Sequence, residues 1–237
     1  MKEQIKSNLS FFAVTLCIIA LVAGLASLEE KLLERKTGKK ISGWDAKKIA
    51  TTGLLSALGG VLMLLEINIP LIPMFYQLDL SEVAGIMAGF LLGPVASVVV
   101  EFIKVVIHVI LHGTHSAFVG EFASFVLGCI FILPASYFYH AHKNKKNAVI
   151  SLIIGSICLI LFGALFNAYY LIPKFADIYG IGLDGILSMA QGVNPSITSV
   201  TKLILYATVP FNVVKSLVVS VIILLIYKPI SNLYRKV

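Results

Sequence analysis

Charged residues are scarce in this chain of 237 residues: Asp, Glu, Lys and Arg account for 13% of it, about half the share in a typical soluble domain. Hydrophobic residues account for 58%, and the mean hydropathy is +0.95. This composition excludes an ordinary soluble domain. It indicates an all-α membrane protein, because several apolar segments reach the ~20 residues that a helix needs to cross a bilayer.

Cysteine and the common catalytic motifs are also scarce. The three cysteines lie inside apolar segments without metal-binding spacing, and we interpret them as small hydrophobic residues. The sequence contains no G-x-x-x-x-G-K-[ST], G-x-S-x-G, H-E-x-x-H or C-x-x-C motif. We therefore predict that the protein is not an enzyme. Any uphill transport would draw its energy from another subunit or from an ion gradient.

Basic residues outnumber acidic ones by 19 to 12, and their positions indicate topology rather than nucleic-acid binding. Seven of them lie in 31–48, three in 143–146 and three in 228–236. Short basic segments between or after apolar spans are typical of cytoplasmic loops. The C-terminus is therefore predicted to be cytoplasmic.

Seven apolar segments are predicted to cross the membrane as helices. Their ranges are 9–28, 49–67, 80–92, 95–111, 118–139, 148–172 and 203–227. Gly93-Pro94 separates the third span from the fourth, because glycine ends one helix and proline begins the next. The segments 68–79 and 173–200 are predicted to be loops.

The first span allows two interpretations. Lys2 and Lys6 precede a hydrophobic stretch that ends in GLAS, which resembles a signal peptide with its cleavage site. Cleavage there would leave the basic segment 31–48 outside, against the topology of the other spans. A retained helix with its N-terminus outside is therefore the preferred prediction.

Asn212 and Lys215 lie in the middle of the last span, where polar side chains are costly and point to a functional site. Lys215 is 13 residues from the nearest basic residue on either side, which is ~20 Å along a helix. Asn212 is on the same face, and Asn167 lies in the preceding span. Together these groups suit a neutral heterocycle with an amide-like edge, such as a pyrimidine or a flavin. The candidate aromatic walls are Phe75, Tyr76, Tyr169, Tyr170 and Phe211.

Lys215 also has a purely structural alternative, an ion pair with a carboxylate inside the membrane. The candidate partners are Glu66, Glu82, Glu101 and Glu121. Glu101 and Lys104 are three residues apart and are predicted to pair with each other. Asp79 and Glu82 have the spacing of a capping box, which predicts that they begin the third span.

Two further patterns leave alternatives open. His108, His112 and His115 raise the possibility of a metal site, although no carboxylate or cysteine completes it within that segment. Gly53 with Ala57, like Ser56 with Gly60, forms a pair of small residues four apart that allows close helix approach. The spacing alone does not distinguish a partner interface from internal packing.

Three blocks of the sequence resemble the riboflavin-specific S components of energy-coupling factor (ECF) transporters, the RibU family. The blocks are IPLIPMFYQLDLSEVAGIMAGFLLGPVASVVVEFIK, LFNAYYLIP and VPFNVVKS. The resemblance covers roughly 47–237 and implies a six-helix substrate-binding core. In this chain an additional N-terminal transmembrane helix at 1–28 and a charged cytoplasmic connector at 29–46 precede the core.

The resemblance implies a multi-pass subunit of a vitamin importer in the bacterial cell membrane. Such a subunit binds riboflavin from outside, with FMN as a second candidate ligand, and contains neither a cofactor nor a metal. A shared transmembrane T subunit and two ABC-type ATPases drive the uptake. The alternative is an S component for another vitamin or for a transition-metal ion.

The resemblance also implies roles for particular residues. The implied ligand contacts are Tyr76, Leu78, Asp79, Glu121, Ser124, Asn167, Asn212 and Lys215. Among these, Asn167, Asn212 and Lys215 would contact the isoalloxazine ring, and the loop 70–80 would close over it. Ser124 stands where the family is expected to have asparagine. Gly53 and Ala57 would face the T subunit.

Overall fold

The computed structural model of the chain describes residues 2–236 except 71, 74 and 115, and most of these residues are helical. The helices are α1 (Lys2–Thr37), α2 (Ala46–Met63), α3 (Glu82–Leu92), α4 (Pro94–His112), α5 (Val119–Ala141), α6 (Lys145–Phe166), α7 (Ile172–Tyr179), α8 (Gly182–Val193), α9 (Val200–Leu203) and α10 (Val209–Lys236). A π-helical segment, Asn167–Leu171, joins α6 to α7, and a second, Ile204–Thr208, joins α9 to α10. Each predicted span corresponds to a helix.

Five helical segments in the described part of the chain are long and apolar enough to cross a membrane. They are Ala13–Thr37, Pro94–His112, Val119–Ala141, Lys145–Tyr179 and Val200–Tyr234. The shorter helices α2 and α3 pack against each other and against α4. With α5, α6 and α10 they form the six-helix core, and α1 packs outside it against α4 and α5. The predicted all-α class, with one extra N-terminal helix, is confirmed.

Helix boundaries follow from local chemistry. The Asp45 side chain accepts a hydrogen bond from the Lys48 amide at the start of α2, and Asn144 caps α6 in the same way. Between α3 and α4, Gly93 adopts a φ of 110°, which favours glycine, and Pro94 then occupies the first turn of α4. The predicted break at this dipeptide is confirmed.

The prediction that 173–200 is a loop was wrong, because α7 and α8 lie within it. Pro173 lies at the start of α7, directly after the π-helical segment that continues from α6. Ala176, Ile186 and Ala190 are buried, so these two short helices are amphipathic and cover the core with one face. Similarly, α1 continues as a helix through the predicted start of the connector to Thr37.

The capping box predicted for α3 was also wrong. Ser81 is the N-cap residue and makes no side-chain capping bond. Asp79 Oδ1 accepts a hydrogen bond from the Ser81 amide at 2.9 Å, and Glu82 turns toward two lysines instead of the backbone. A buried carboxylate gains more from two cations than from one amide N–H.

The loop before α3 forms a small hairpin. Strands β1 (Ile67–Asn68) and β2 (Gln77–Leu78) pair in antiparallel fashion, with Ile67 opposite Leu78. Their pairing brings both ends of the intervening loop together beside the helical core. The loop therefore sits over the cavity described next.

Candidate ligand-binding site

A cavity of about 440 Å³ lies beneath the hairpin, between α4, α5, α7, α10 and the π-helical segment Asn167–Leu171. It lies within the ~300–1,000 Å³ range of small-molecule sites. Seven of the eight predicted ligand contacts line it: Tyr76, Asp79, Glu121, Ser124, Asn167, Asn212 and Lys215. Leu78 is not among the lining residues, because successive strand residues face opposite sides and its neighbour Gln77 faces the cavity. Leu78 instead packs against an apolar cluster.

Five buried polar atoms of the cavity lining lack a hydrogen-bond partner in the described part of the chain: Asn212 Nδ2, Ser124 Oγ, Glu82 Oε2 and both ring nitrogens of His108. Glu82 and His108 belong to ion pairs described below, whereas Asn212 and Ser124 do not. Asn212 is only 2% exposed, so its orphaned donor costs about 1–3 kcal/mol unless a ligand or a water satisfies it. A Cβ at Gly163 would lie 2.6 Å from Asn212 Nδ2, so glycine provides the room that this amide occupies.

Asn167, in contrast, has partners on both side-chain atoms. Its Nδ2 donates to the Gly163 carbonyl at 2.8 Å, and its Oδ1 accepts from the Tyr76 hydroxyl at 3.0 Å. The Tyr76 hydroxyl also lies 2.6 Å from Thr208 Oγ1. Asn167 and Thr208 belong to the two π-helical segments, which are rare and often mark functional sites. The two segments together hold Tyr76 of the loop against the core.

Thr208 was not recognised from the sequence. The signal that could have found it is a hydroxyl residue in an apolar span, four residues before Asn212 and therefore on nearly the same helix face. Its hydrogen-bond partner is Tyr76, which is 132 residues away in the chain, so the tertiary structure was needed to identify its role.

Lys215 forms two ion pairs at the cavity wall. Its Nζ lies 3.0 Å from Asp79 Oδ2 and 3.0 Å from Glu82 Oε1. The structural alternative for this lysine is therefore present in the fold, with Glu82 as one of the predicted candidates. Two other candidates have different partners: Glu66 Oε1 lies 3.5 Å from His108 Nε2, and Glu121 Oε2 accepts from the Ser116 hydroxyl at 2.9 Å.

Lys104 connects the same carboxylates to α4. Its side chain is fully buried, and its Nζ lies 2.7 Å from Glu101 Oε2 and 3.6 Å from Glu82 Oε1. It also donates to the Ser81 hydroxyl at 2.7 Å. The predicted pairing of Glu101 with Lys104 is confirmed. The network thus links three carboxylates and two lysines through the shared carboxylate of Glu82.

Two glycines create the space for this network. A Cβ added at Gly85 or at Gly128 would collide with the carboxylate oxygens of Glu101. Both glycines lie in helices that face Glu101, on α3 and α5. The backbones of α3 and α5 therefore approach the carboxylate of Glu101 more closely than a residue with a Cβ would allow.

The aromatic walls differ in part from the prediction. Phe75, Tyr76 and Phe211 line the cavity, with ring centroids 4.8 Å apart for Phe75 and Tyr76 and 5.2 Å apart for Tyr76 and Phe211. Tyr169 is 82% exposed and points away from the cavity. Tyr170 instead packs against phenylalanines of the core. Phe175 and Tyr179 of α7 also line the cavity, which follows from the unpredicted helix there.

Two of the three histidines, His108 and His112, line the cavity. His108 and His112 have ring centroids 5.2 Å apart, and His115 lies outside the described residues. Among the residues that the structure describes, no group of three or more His, Cys, Asp or Glu side chains is arranged to hold a metal ion.

A membrane-spanning helical bundle with a buried, polar-lined cavity under a loop defines the class of solute-binding membrane subunits. Residues 47–227 match the family described as the substrate-specific component of ECF transporters, and the chain belongs to this family. Its members are transporter components and not enzymes, so the chain is a multi-pass membrane protein of a transport system. The resemblance found in the sequence is thereby confirmed.

Relatives of known name agree with this assignment. The riboflavin transporter RibU of Staphylococcus aureus (strain TCH60) is 28% identical over 199 residues, covering 84% of this chain and 98% of the relative. The riboflavin transporter FmnP of Bacillus subtilis (strain 168) is 30% identical over 182 residues, covering 76% of this chain and 90% of the relative. A solved S component of a bacterial ECF transporter has a TM-score of 0.62 and 27% identity, over 79% of this chain and 96% of that structure.

Proposed function

We propose that this S component binds riboflavin in the cavity beneath the hairpin, with FMN as a second candidate ligand. The proposal depends chiefly on the buried amide of Asn212, whose Nδ2 has no partner among the described residues and lines the cavity. A flavin presents carbonyl acceptors along one edge of a neutral, planar ring, which matches such a donor between aromatic walls. The two relatives named as riboflavin transporters support the same ligand.

The proposed contacts divide into two groups. Asn212 and Ser124 contact the ligand with groups that are otherwise unpartnered. Asn167 and Lys215 each have one further hydrogen bond to offer the ligand. The amide oxygen of Asn167 can accept two bonds and receives one from Tyr76. The ammonium of Lys215 can donate three bonds and faces two carboxylates. Asp79 acts on the ligand through Lys215, since its Oδ2 holds the ammonium at 3.0 Å.

The loop closes the cavity from the outer side of the membrane in this proposal. Tyr76 supports this, because its hydroxyl contacts Asn167 and Thr208 on two different membrane helices. The basic segments 31–48, 143–146 and 228–236 support the proposal that the opposite end of the bundle, with the C-terminus, faces the cytoplasm of a bacterial cell. The retained first helix then begins outside.

The proposed partners are a transmembrane T subunit and two ABC-type ATPases, which supply the energy that this chain's own motifs do not. The exposed face of α2 is the proposed docking surface for the T subunit. A Cβ at Gly53 would meet nothing within 4 Å, and Ala57 is exposed on the same face. In contrast, a Cβ at Gly60 would lie 2.5 Å from Ile107, so Gly60 packs inside the bundle.

Titration with riboflavin tests the ligand directly. The full chain, purified in a mild detergent, is expected to quench riboflavin fluorescence with one-to-one stoichiometry and to retain the flavin through dialysis. Parallel titrations with FMN define the tolerance for a phosphate, and competition with thiamine and biotin tests other vitamins. Absence of quenching by protein that is folded by circular dichroism would reject riboflavin and leave the family assignment intact.

Replacing Tyr76 by phenylalanine tests the role of the loop. The change removes one hydroxyl and leaves Asn167 Oδ1 and Thr208 Oγ1 without their shared partner, so we expect riboflavin to dissociate roughly tenfold faster, near 1.4 kcal/mol. Stopped-flow fluorescence recovery measures the dissociation rate. Tyr169→Phe removes a hydroxyl from the exposed side of the π-helical segment that carries Asn167 and should leave the rate unchanged. Equal rates in both variants would show that Tyr76 does not hold the loop closed.

A further inference from the structure

A second cavity, of about 780 Å³, lies between the connector that follows α1 and the ends of α3, α5 and α10. Its lining shares no residue with the ligand-binding cavity. Lys36 lines it from the last turn of α1, Lys39 and Lys40 from the connector, and His140, Lys143 and Tyr234 from the core. The connector side precedes residue 47, where the family match begins, so the N-terminal extension creates this cavity.

The cavity is strongly basic. Five lysines and a single carboxylate, that of Asp45, line it. The ammonium of Lys48 is neutralised by Glu30 at 3.4 Å, and Asp45 caps α2 by accepting from the Lys48 amide at 2.7 Å. Within the described part of the chain, no carboxylate lies within 4.0 Å of the ammonium of Lys36 or Lys39. The cavity therefore has an excess of positive charge.

The connector is held in place against the core. Glu34 Oε1 accepts hydrogen bonds from the amides of Ile41 at 2.6 Å and Ser42 at 2.7 Å. The buried Lys48 donates from its ammonium to the Ile41 carbonyl at 2.7 Å. Lys39 and Lys40 directly precede Ile41 in the chain. These bonds fix the backbone that carries the lysines, so the basic lining is part of the fold.

The residues around the cavity are of the kinds that are typical of the lipid headgroup region. Helices α1, α3 and α5 all end at it, and Trp44, which is 43% exposed, lies in the connector beside it. Tyr234 lines the cavity, and the ammonium of Lys47 lies 4.1 Å from the centre of its ring. Exposed tryptophan and tyrosine at helix ends are typical of the membrane–water interface.

His140 adds a polar group of a different kind. Its Nε2 lies 2.8 Å from the Gly89 carbonyl, which only accepts hydrogen bonds, so Nε2 carries the proton. Its Nδ1 is buried and has no partner among the described residues. In this tautomer Nδ1 is an acceptor, and a ligand hydroxyl can donate to it. The cavity thus combines cations for a phosphate with an acceptor for a hydroxyl.

We propose that this cavity binds a phosphate group that carries a nearby hydroxyl. Two sources of that chemistry exist: the headgroup of an anionic phospholipid and a soluble phosphate. Basic pockets between membrane helices at the cytoplasmic surface are suited to anionic headgroups. The lipid would then tie the N-terminal extension to the six-helix core from the cytoplasmic side.

The single tryptophan provides the measurement. Trp44 lies between Gly43 and Asp45, which both line the cavity, so its fluorescence reports on occupancy. The full chain, in a neutral detergent, is titrated with short-chain phosphatidylglycerol, with phosphatidylcholine and with inorganic phosphate. We expect a saturable change with phosphatidylglycerol and none with phosphatidylcholine. If inorganic phosphate competes with phosphatidylglycerol, the cavity also accepts phosphate that is not part of a lipid.

A matched pair of variants distinguishes lipid binding in the cavity from general attraction of anionic lipid to the basic residues on this side of the protein. Lys36→Gln with Lys39→Gln should weaken phosphatidylglycerol binding roughly tenfold, because it removes two cations from the lining. Lys145→Gln with Lys146→Gln removes two exposed charges from the predicted cytoplasmic face outside the cavity and should leave binding nearly unchanged. Equal losses in the two variants, or equal responses to the two lipids, would overturn the proposal.

Discussion

Replacing Asn212 by alanine is expected to weaken riboflavin binding by about 1–3 kcal/mol, or roughly 5- to 150-fold in Kd. Its amide nitrogen is buried on the cavity wall without a partner among the described residues, so it is free to bind a ligand acceptor. For the same reason the variant should not lose stability without ligand, because no hydrogen bond of Nδ2 is broken. Fluorescence titration gives the Kd, and thermal unfolding gives the stability.

Ser216→Ala is the matched control for Asn212. Ser216 lies on the same helix and is equally buried, but its hydroxyl donates to the Val213 carbonyl at 3.2 Å and does not line the cavity. Its removal should leave the Kd unchanged. If Asn212→Ala also binds riboflavin with the original Kd, Asn212 is not a ligand contact and the site assignment fails.

Lys215→Ala is a less specific test of the same site. The substitution would leave Asp79 and Glu82 without a cation that lies 3.0 Å from each. A loss of riboflavin affinity would then combine a lost contact with a disturbed loop and α3. Lys215→Ala is still expected to weaken binding by about 1–3 kcal/mol, but the effect is assigned only by comparison with Asn212→Ala.

Replacing Lys104 by methionine is expected to destabilise the unliganded protein by about 3–5 kcal/mol. Methionine fills a similar volume, but Glu101 loses its partner at 2.7 Å while remaining completely buried. The carboxylate has no room to move to another partner, because it is confined between Gly85 and Gly128. An uncompensated buried charge is among the largest effects that one substitution can produce.

Thermal unfolding in detergent, followed with a thiol-reactive fluorogenic dye, measures this loss. Cys17 is exposed and sets the baseline, whereas Cys129 is buried and reacts only on unfolding. Lys104→Met combined with Glu101→Gln should recover part of the stability, because the unpaired charge is removed. Lys202→Met, at an exposed position, should change the stability by less than about 1 kcal/mol. If the double variant is no more stable than Lys104→Met, the ion pair is not the cause.

Much of the fold could be predicted because its determinants are local. Apolar run length predicted the seven helices, and Gly93-Pro94 predicted the break between α3 and α4. The failures occurred where short-range patterns compete with packing. In 173–200 the semi-polar composition indicated a loop, but the apolar faces of α7 and α8 bury Ala176, Ile186 and Ala190 against the core. At Asp79 and Glu82 the capping spacing was present, yet two lysines attracted the carboxylates instead.

The candidate site could be predicted as a set of residues but not as an arrangement. Polar groups at membrane depth are costly wherever they lie in the chain, so Asn167, Asn212 and Lys215 were identifiable individually. Their hydrogen-bonding states were not. Asn167 has both side-chain atoms occupied, whereas Asn212 Nδ2 has no described partner, and nothing in the residue type distinguishes them.

The amino-acid sequence by itself determined the membrane class, the order of the helices and the depth of the costly polar groups, since hydrophobic run length acts over about 20 residues. Only the tertiary structure decided the partner of each group. Lys215 meets Asp79 across 136 residues, and Tyr76 meets Thr208 across 132. Such pairs form because helix packing brings distant segments within 3 Å in an interior where a buried polar group needs a partner.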